Sequence, residues 1–117
     1  MSGLAEAIYE ILRRRTSLPD PRITYAELAE ALRAAFQQFE HIHHRNRQLY
    51  VALGEVGKEC RRRKLPPLPA LVVRADTRRP GLAYYTGACS GVVYRGERIA
   101  AWRRDLDAVK QTAYPRL

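Results

Sequence analysis

Over the first half of the chain the apolar residues recur every three or four positions, in three separate stretches, and a chain with that period buries them as amphipathic helices. In "SGLAEAIYEILRRRT" the period runs through Leu4, Ile8, Ile11 and Leu12, and Arg13, Arg14 and Arg15 fill the last turn, where cations meet the negative end of the helix dipole. Pro19 and Pro21 stiffen the turn that follows. "ITYAELAEALRAAFQQF" then opens with Thr24 and Glu27 at capping-box spacing and lines up Tyr25, Leu28, Leu32, Ala35, Phe36 and Phe39. "EHIHHRNR" breaks the period as a loop or loosened turn. The period returns in "RQLYVALGEVGKECRRRK" through Leu49, Ala52, Leu53, Val56 and Cys60, a third helix with a basic C-terminal half. It must stop before Pro66, because a residue preceding proline is pushed out of the α region.

The second half reads differently. "LPALVV" is an all-apolar run predicted as a short strand covered on both faces, "RADTRRPG" as a turn, and "LAYYTG" as the return strand of a hairpin. Residues 87–96 have no clear period. "ERIAAWRRDLDAVKQTAY" sets Ile99, Trp102, Leu106 and Val109 on one helical face, so a closing helix is expected with its indole over the edge of the core. Three helices, a hairpin and a helix make an α+β chain with the order of a winged helix-turn-helix, in which a third helix enters the major groove and the hairpin wing lies along the backbone.

Charge then narrows the partner. The 117 residues suit a single domain spanning 1–117, and 46% apolar content is enough for a core. Lys and Arg number 21 against 12 Asp and Glu, a net charge of +9, and Lys contributes only Lys58, Lys64 and Lys110. The arginine fork fits phosphate bidentately, which points to nucleic acid, duplex DNA in the first instance. Arg47, Lys58, Arg61, Arg62, Arg63 and Lys64 on the third helix would neutralise phosphates, and Arg74, Arg78 and Arg79 would extend the footprint onto the wing. Alternation along a strand sends one of Tyr84 and Tyr85 outward; Tyr85 is taken as the one that stacks on a base. The alternative is a protein-interaction module, a phage- or defence-associated inhibitor or adaptor, that turns the same cations toward an acidic protein partner. A homodimer is compatible with either reading.

Other chemistry finds little support. His41, His43 and His44 lack zinc-ligand spacing with Cys60 or Cys89, so neither a metal nor another cofactor is expected. The two cysteines read as small core residues kept as thiols in the cytoplasm, and the charges that follow the N-terminal apolar stretch are the reverse of a secretory signal. Asp105 and Asp107 fall on different helical faces, and Glu55 and Glu59 are placed to pair with nearby cations. No nucleophile, base and orienting group recur together, which argues against an enzyme. Gly54 and Gly57 each cost a helix about 1 kcal/mol relative to alanine, so something is expected to use their missing side chains: close packing of this helix on the first or second, or intimate approach to a backbone or partner.

"RITYAELAEAL", the Val56-Gly57 pair in the next helix, "LPPLPALVV" and "PGLAYY" together resemble the DNA-binding domain of the O6-alkylguanine-DNA alkyltransferase and alkyltransferase-like family. The resemblance covers roughly residues 23–85. It implies a recognition helix at the third helix and a duplex-binding surface. It also marks departures. Where the family has its nucleophilic cysteine and adjoining histidine after proline, this chain has Pro69-Ala70-Leu71, so thiolate alkyl transfer does not carry over. The family's base-displacing arginine, two residues before the Val-Gly pair, falls roughly one position from Gly54 here, so the resemblance does not imply nucleotide flipping. The run "LPPL…LVV…PG" is also similar to one in small modules that accompany bacterial restriction and phage-defence proteins.

Overall fold

The computed structural model describes residues 1–90 and 92–117. Helix α1 (Gly3–Arg15) begins at Ser2, whose hydroxyl accepts the Ala5 N–H, and buries Ala5, Ile8, Tyr9 and Leu12. At its far end the Arg15 guanidinium donates to the carbonyls of Pro21 (3.0 Å) and Arg22 (2.8 Å), which folds the proline turn back into strand β1 (Ile23–Thr24). The capping box forms as expected at the start of α2 (Tyr25–Ala35): the Thr24 hydroxyl accepts the Glu27 N–H at 3.0 Å, and the Glu27 carboxylate accepts the Thr24 N–H at 2.9 Å. The helix stops at Ala35, short of the predicted Phe39. Phe36 turns extended, and a 3-10 turn over Gln37–Phe39 brings the two phenyl rings to 5.7 Å. Arg33 closes this connection by donating to the carbonyl of Ile42, whose own side chain is buried.

Helix α3 (Arg47–Arg62) runs through the middle of the fold and buries Leu49, Ala52, Leu53, Val56 and Cys60, the predicted stripe. It ends in a Schellman arrangement: Leu65 N–H bonds the Cys60 carbonyl and Lys64 N–H the Arg61 carbonyl, with Lys64 in the left-handed region at φ 59°. Gly54 and Gly57 lie on the buried face. A Cβ on Gly54 would stand 2.2 Å from the Ala88 carbonyl oxygen, and one on Gly57 2.2 Å from that of Ser90. The missing side chains thus admit the backbone of 88–90, not helix α1 or α2.

The second half departs from the hairpin expectation. Leu68–Leu71 is a 3-10 turn, and only Val72–Val73 forms a strand, β2, although all of 68–73 is buried as predicted. Strand β2 pairs in parallel with β1, Ile23 opposite Val72 and Thr24 opposite Val73, so it reaches back to the chain before α2. "LAYY" is a single helical turn, α4 (Leu82–Tyr85), held by Tyr84 N–H to the Gly81 carbonyl and Thr86 N–H to the Leu82 carbonyl. No β-hairpin wing is present among the described residues. In its place the loop 74–79 closes on itself through Arg74 N–H to the Arg79 carbonyl (2.8 Å) and Arg78 N–H to the Arg74 carbonyl (2.9 Å).

Helix α5 (Arg98–Lys110) closes the core with Trp102, Leu106 and Val109. The indole N–H donates to the Ala70 carbonyl at 2.8 Å, so it lies inside the core and not merely over its edge. Ile99 belongs to the solvent side, at 38% exposure, because the buried stripe continues from Trp102 toward Tyr114 and leaves the first turn uncovered. Tyr114 donates to the Pro66 carbonyl and Tyr9 to that of Pro115, which draws the C-terminal segment onto α1. The result is a mostly helical α+β fold with one small two-stranded sheet. Among the described residues no helix is long and apolar enough to cross a membrane.

Candidate nucleic-acid interface

The solvent side of α3 follows from its buried stripe. Arg47, Val51, Glu55, Lys58 and Arg62 succeed one another at intervals of three and four on the side away from Leu53, Val56 and Cys60, and Arg61 lies beside them. Arg47, Lys58, Arg61 and Arg62 are exposed. Arg47 and Arg62 stand about 22 Å apart along the axis, at about 1.5 Å per residue. The two acids on this helix are both engaged. Glu55 accepts from the backbone N–H (3.0 Å) and hydroxyl (2.9 Å) of Ser2, which pins the start of α1 instead of pairing with a cation as expected. Glu59 takes Arg62 and Arg63 together, and those two guanidiniums hold its carboxyl down to about 2. Arg63 is partly covered as a result, and Lys64 is exposed at the left-handed position that closes the helix. The run Arg61–Lys64 therefore fans around the helix end, with part of its charge neutralised locally.

The loop cations do not join that run. Arg74 pairs with Asp76 at 2.8 Å, and its guanidinium lowers the Asp76 carboxyl. Beside it a groove of about 400 Å³ is lined by Thr24, Tyr25, His44, Arg45 and Tyr50, which places the loop next to the N-terminal end of α3. Tyr25 and Tyr50 pack with ring centres 5.4 Å apart, and the Tyr25 hydroxyl accepts the Gly81 N–H at 3.2 Å while burial pushes its pKa up to about 12. Arg78 and Arg79 face the other way, toward α5. They border a cleft of about 450 Å³ together with Arg22, Arg103 and Lys110, three cations outside the set expected from the sequence. Only the spacing of Arg103 and Lys110, seven residues apart on one helical face, hinted at them.

Tyr85 is not available for base stacking. Both Tyr84 and Tyr85 are buried, since a helical turn does not alternate its side chains between two faces as a strand does. Tyr84 stacks on Tyr94 at 5.1 Å, and both hydroxyls donate to the Asp105 carboxylate. Tyr85 packs edge-on against both rings and lies under the Arg98 guanidinium, 5.6 Å from its ring centre. The thiols lie in the core: burial raises the pKa of Cys60 and lifts that of Cys89 to about 11, which leaves both as thiols at neutral pH. Neither a family model, nor a curated protein, nor a solved structure matches the chain.

Proposed function

We propose that the chain is a non-catalytic nucleic-acid-binding protein of the cytoplasm that takes duplex DNA along the exposed side of α3. The observation that carries this reading is that side itself. It presents Arg47, Lys58 and Arg61 along a single helix, with Glu55 held by Ser2 and Glu59 paired to Arg62 and Arg63 at the helix end. A helix fits a major groove about 12 Å wide, and cations spread along it meet successive phosphates at the groove edges. In this reading α3 alone enters the groove, and the loop at Arg74 makes the backbone contact that a wing would make. The likeness of "RITYAELAEAL" and Val56-Gly57 to the alkyltransferase-like DNA-binding domain agrees with this use of α3. Ala70 in place of the nucleophile, together with two buried thiols, supports a binding role over a catalytic one.

The test is duplex affinity as a function of salt. The parent protein should shift a nonspecific duplex at low salt and release it to heparin. Neutralising Arg47→Gln and Lys58→Gln together should weaken binding by an order of magnitude or more and flatten the slope of log affinity on log salt by about one unit for each phosphate left unneutralised. No duplex binding by the parent at low salt would refute the reading. A second reading, a module for an acidic protein partner, is favoured by an apolar groove of about 450 Å³ beside the same stripe. Leu4, Phe39, Ile42 and Val51 line it, with Val51 53% exposed and Arg47 at its rim. Such a partner would insert an apolar side chain next to its carboxylates, and binding to it would survive heparin.

A further inference from the structure

The cleft between the proline turn, the loop 74–79 and α5 has a composition of its own. Arg22, Arg78, Arg79, Arg103 and Lys110 surround it, and Asp20 is the single carboxylate in its lining. That carboxylate is saturated: Arg22 donates to both of its oxygens, at 2.9 and 3.0 Å, the Arg22 backbone N–H adds a third bond, and Arg78 stands 3.5 Å away. Arg79, Arg103 and Lys110 are exposed and form no salt bridge with the described residues. Trp102 and Leu106, both nearly buried, supply an apolar wall, which lowers the local dielectric and strengthens each charge interaction.

From this we infer that the cleft is a binding site for a chain of phosphate groups, distinct from the α3 stripe and independent of whether that stripe binds DNA. The class of ligand follows from geometry. Arg103 and Lys110 lie on one face of α5 about 10 Å apart along its axis, so linked phosphates meet both with the side chains extended, whereas one small anion would have to draw the two like charges together. Arg78 and Arg79 face them from the loop, where the Thr77 hydroxyl accepts the Arg79 N–H and donates to the Arg79 carbonyl, which steadies the loop at that position. Guanidiniums bind phosphate through two parallel N–H···O bonds, a fit that a scattered surface charge does not provide. The chemistry is shared by the backbone of a nucleic acid and by a free oligophosphate.

The experiment uses inorganic tripolyphosphate as probe, followed by calorimetry at constant ionic strength, with the full chain. Saturable one-to-one binding is expected. Arg79→Gln with Arg103→Gln should weaken it at least tenfold, whereas the charge-matched Arg104→Gln with Arg116→Gln, outside the cleft, should change it less than twofold. Equal weakening by both pairs, or no saturation in the parent, would reduce the cleft to diffuse charge and overturn the inference. So would a tetraglutamate peptide that binds as tightly as tripolyphosphate. Duplex affinity of the cleft variant separates the sources: a matching loss there assigns the cleft to a nucleic-acid backbone, and an unchanged value assigns it to a free oligophosphate. A parent that binds tripolyphosphate but no duplex refutes the α3 reading alone.

Discussion

Gly57→Ala tests whether α3 is held against the 88–90 backbone. In an open helix the change stabilises by about 1 kcal/mol, because alanine gives up less backbone freedom than glycine. Here the added Cβ would lie 2.2, 2.3 and 2.9 Å from the O, C and Cα of Ser90. Ordinary carbon contacts sit at about 3.5–4.0 Å, so the segment must retreat by about 1.3 Å or more. Overpacking of this kind costs about 1–3 kcal/mol. The retreat also strains the bonds of the fully buried Ser90 hydroxyl, whose one hydrogen is shared between the carbonyls of Tyr84 and Val92 and whose oxygen accepts the Val92 N–H. Breaking one or two of them adds about 0.5–1.5 kcal/mol each. Against the propensity gain, the expected net loss is about 3 kcal/mol. With a urea m-value of about 1.5 kcal/mol/M, the unfolding midpoint should fall by about 2 M. Gly3→Ala, where nothing lies within 4 Å, is the control and should not lower the midpoint. A Gly57→Ala midpoint equal to or above the parent's would refute the packing argument, since it would mean that 88–90 does not rest on α3.

Two further outcomes can be checked by the same denaturation. Leu71→Ala removes a fully buried side chain beside β2 and should cost about 2–5 kcal/mol; a loss below about 1 kcal/mol would place Leu71 at the surface. Asp20 is held to about 2 against its ordinary 3.8, first by hydrogen bonds from the Arg22 side chain. Its folded pKa is depressed, so its stabilising contribution is present above about pH 4 and is lost as pH falls toward 2. Asp20→Asn should therefore lose less stability than the parent across that window, and identical acid profiles would show that the Asp20–Arg22 pair contributes nothing.

What the sequence determined by itself is the helical frame. A 3.6-residue period needs only neighbours along the chain, so Leu28 and Leu32, or Leu53, Val56 and Cys60, mark their helix faces before any tertiary contact is known, and Thr24 with Glu27 announces the cap of α2. Gly54 and Gly57 signalled that something approaches α3 closely, without saying what. The tertiary structure alone decided the rest. A strand of two residues has no period to read, and the partner of Val72–Val73 lies before α2, two helices back along the chain. Tyr84 and Tyr85 carry a strand-like pair of aromatics, yet both find burial in one helical turn because Tyr94 and Asp105 are there to receive them. The stripe on α3 was legible as charge along one helix. The cleft was not, since Asp20, Arg78, Arg79, Arg103 and Lys110 come from three segments that meet only when the whole apolar core closes, and burial favours whichever arrangement covers the most apolar surface, whatever charges it gathers outside.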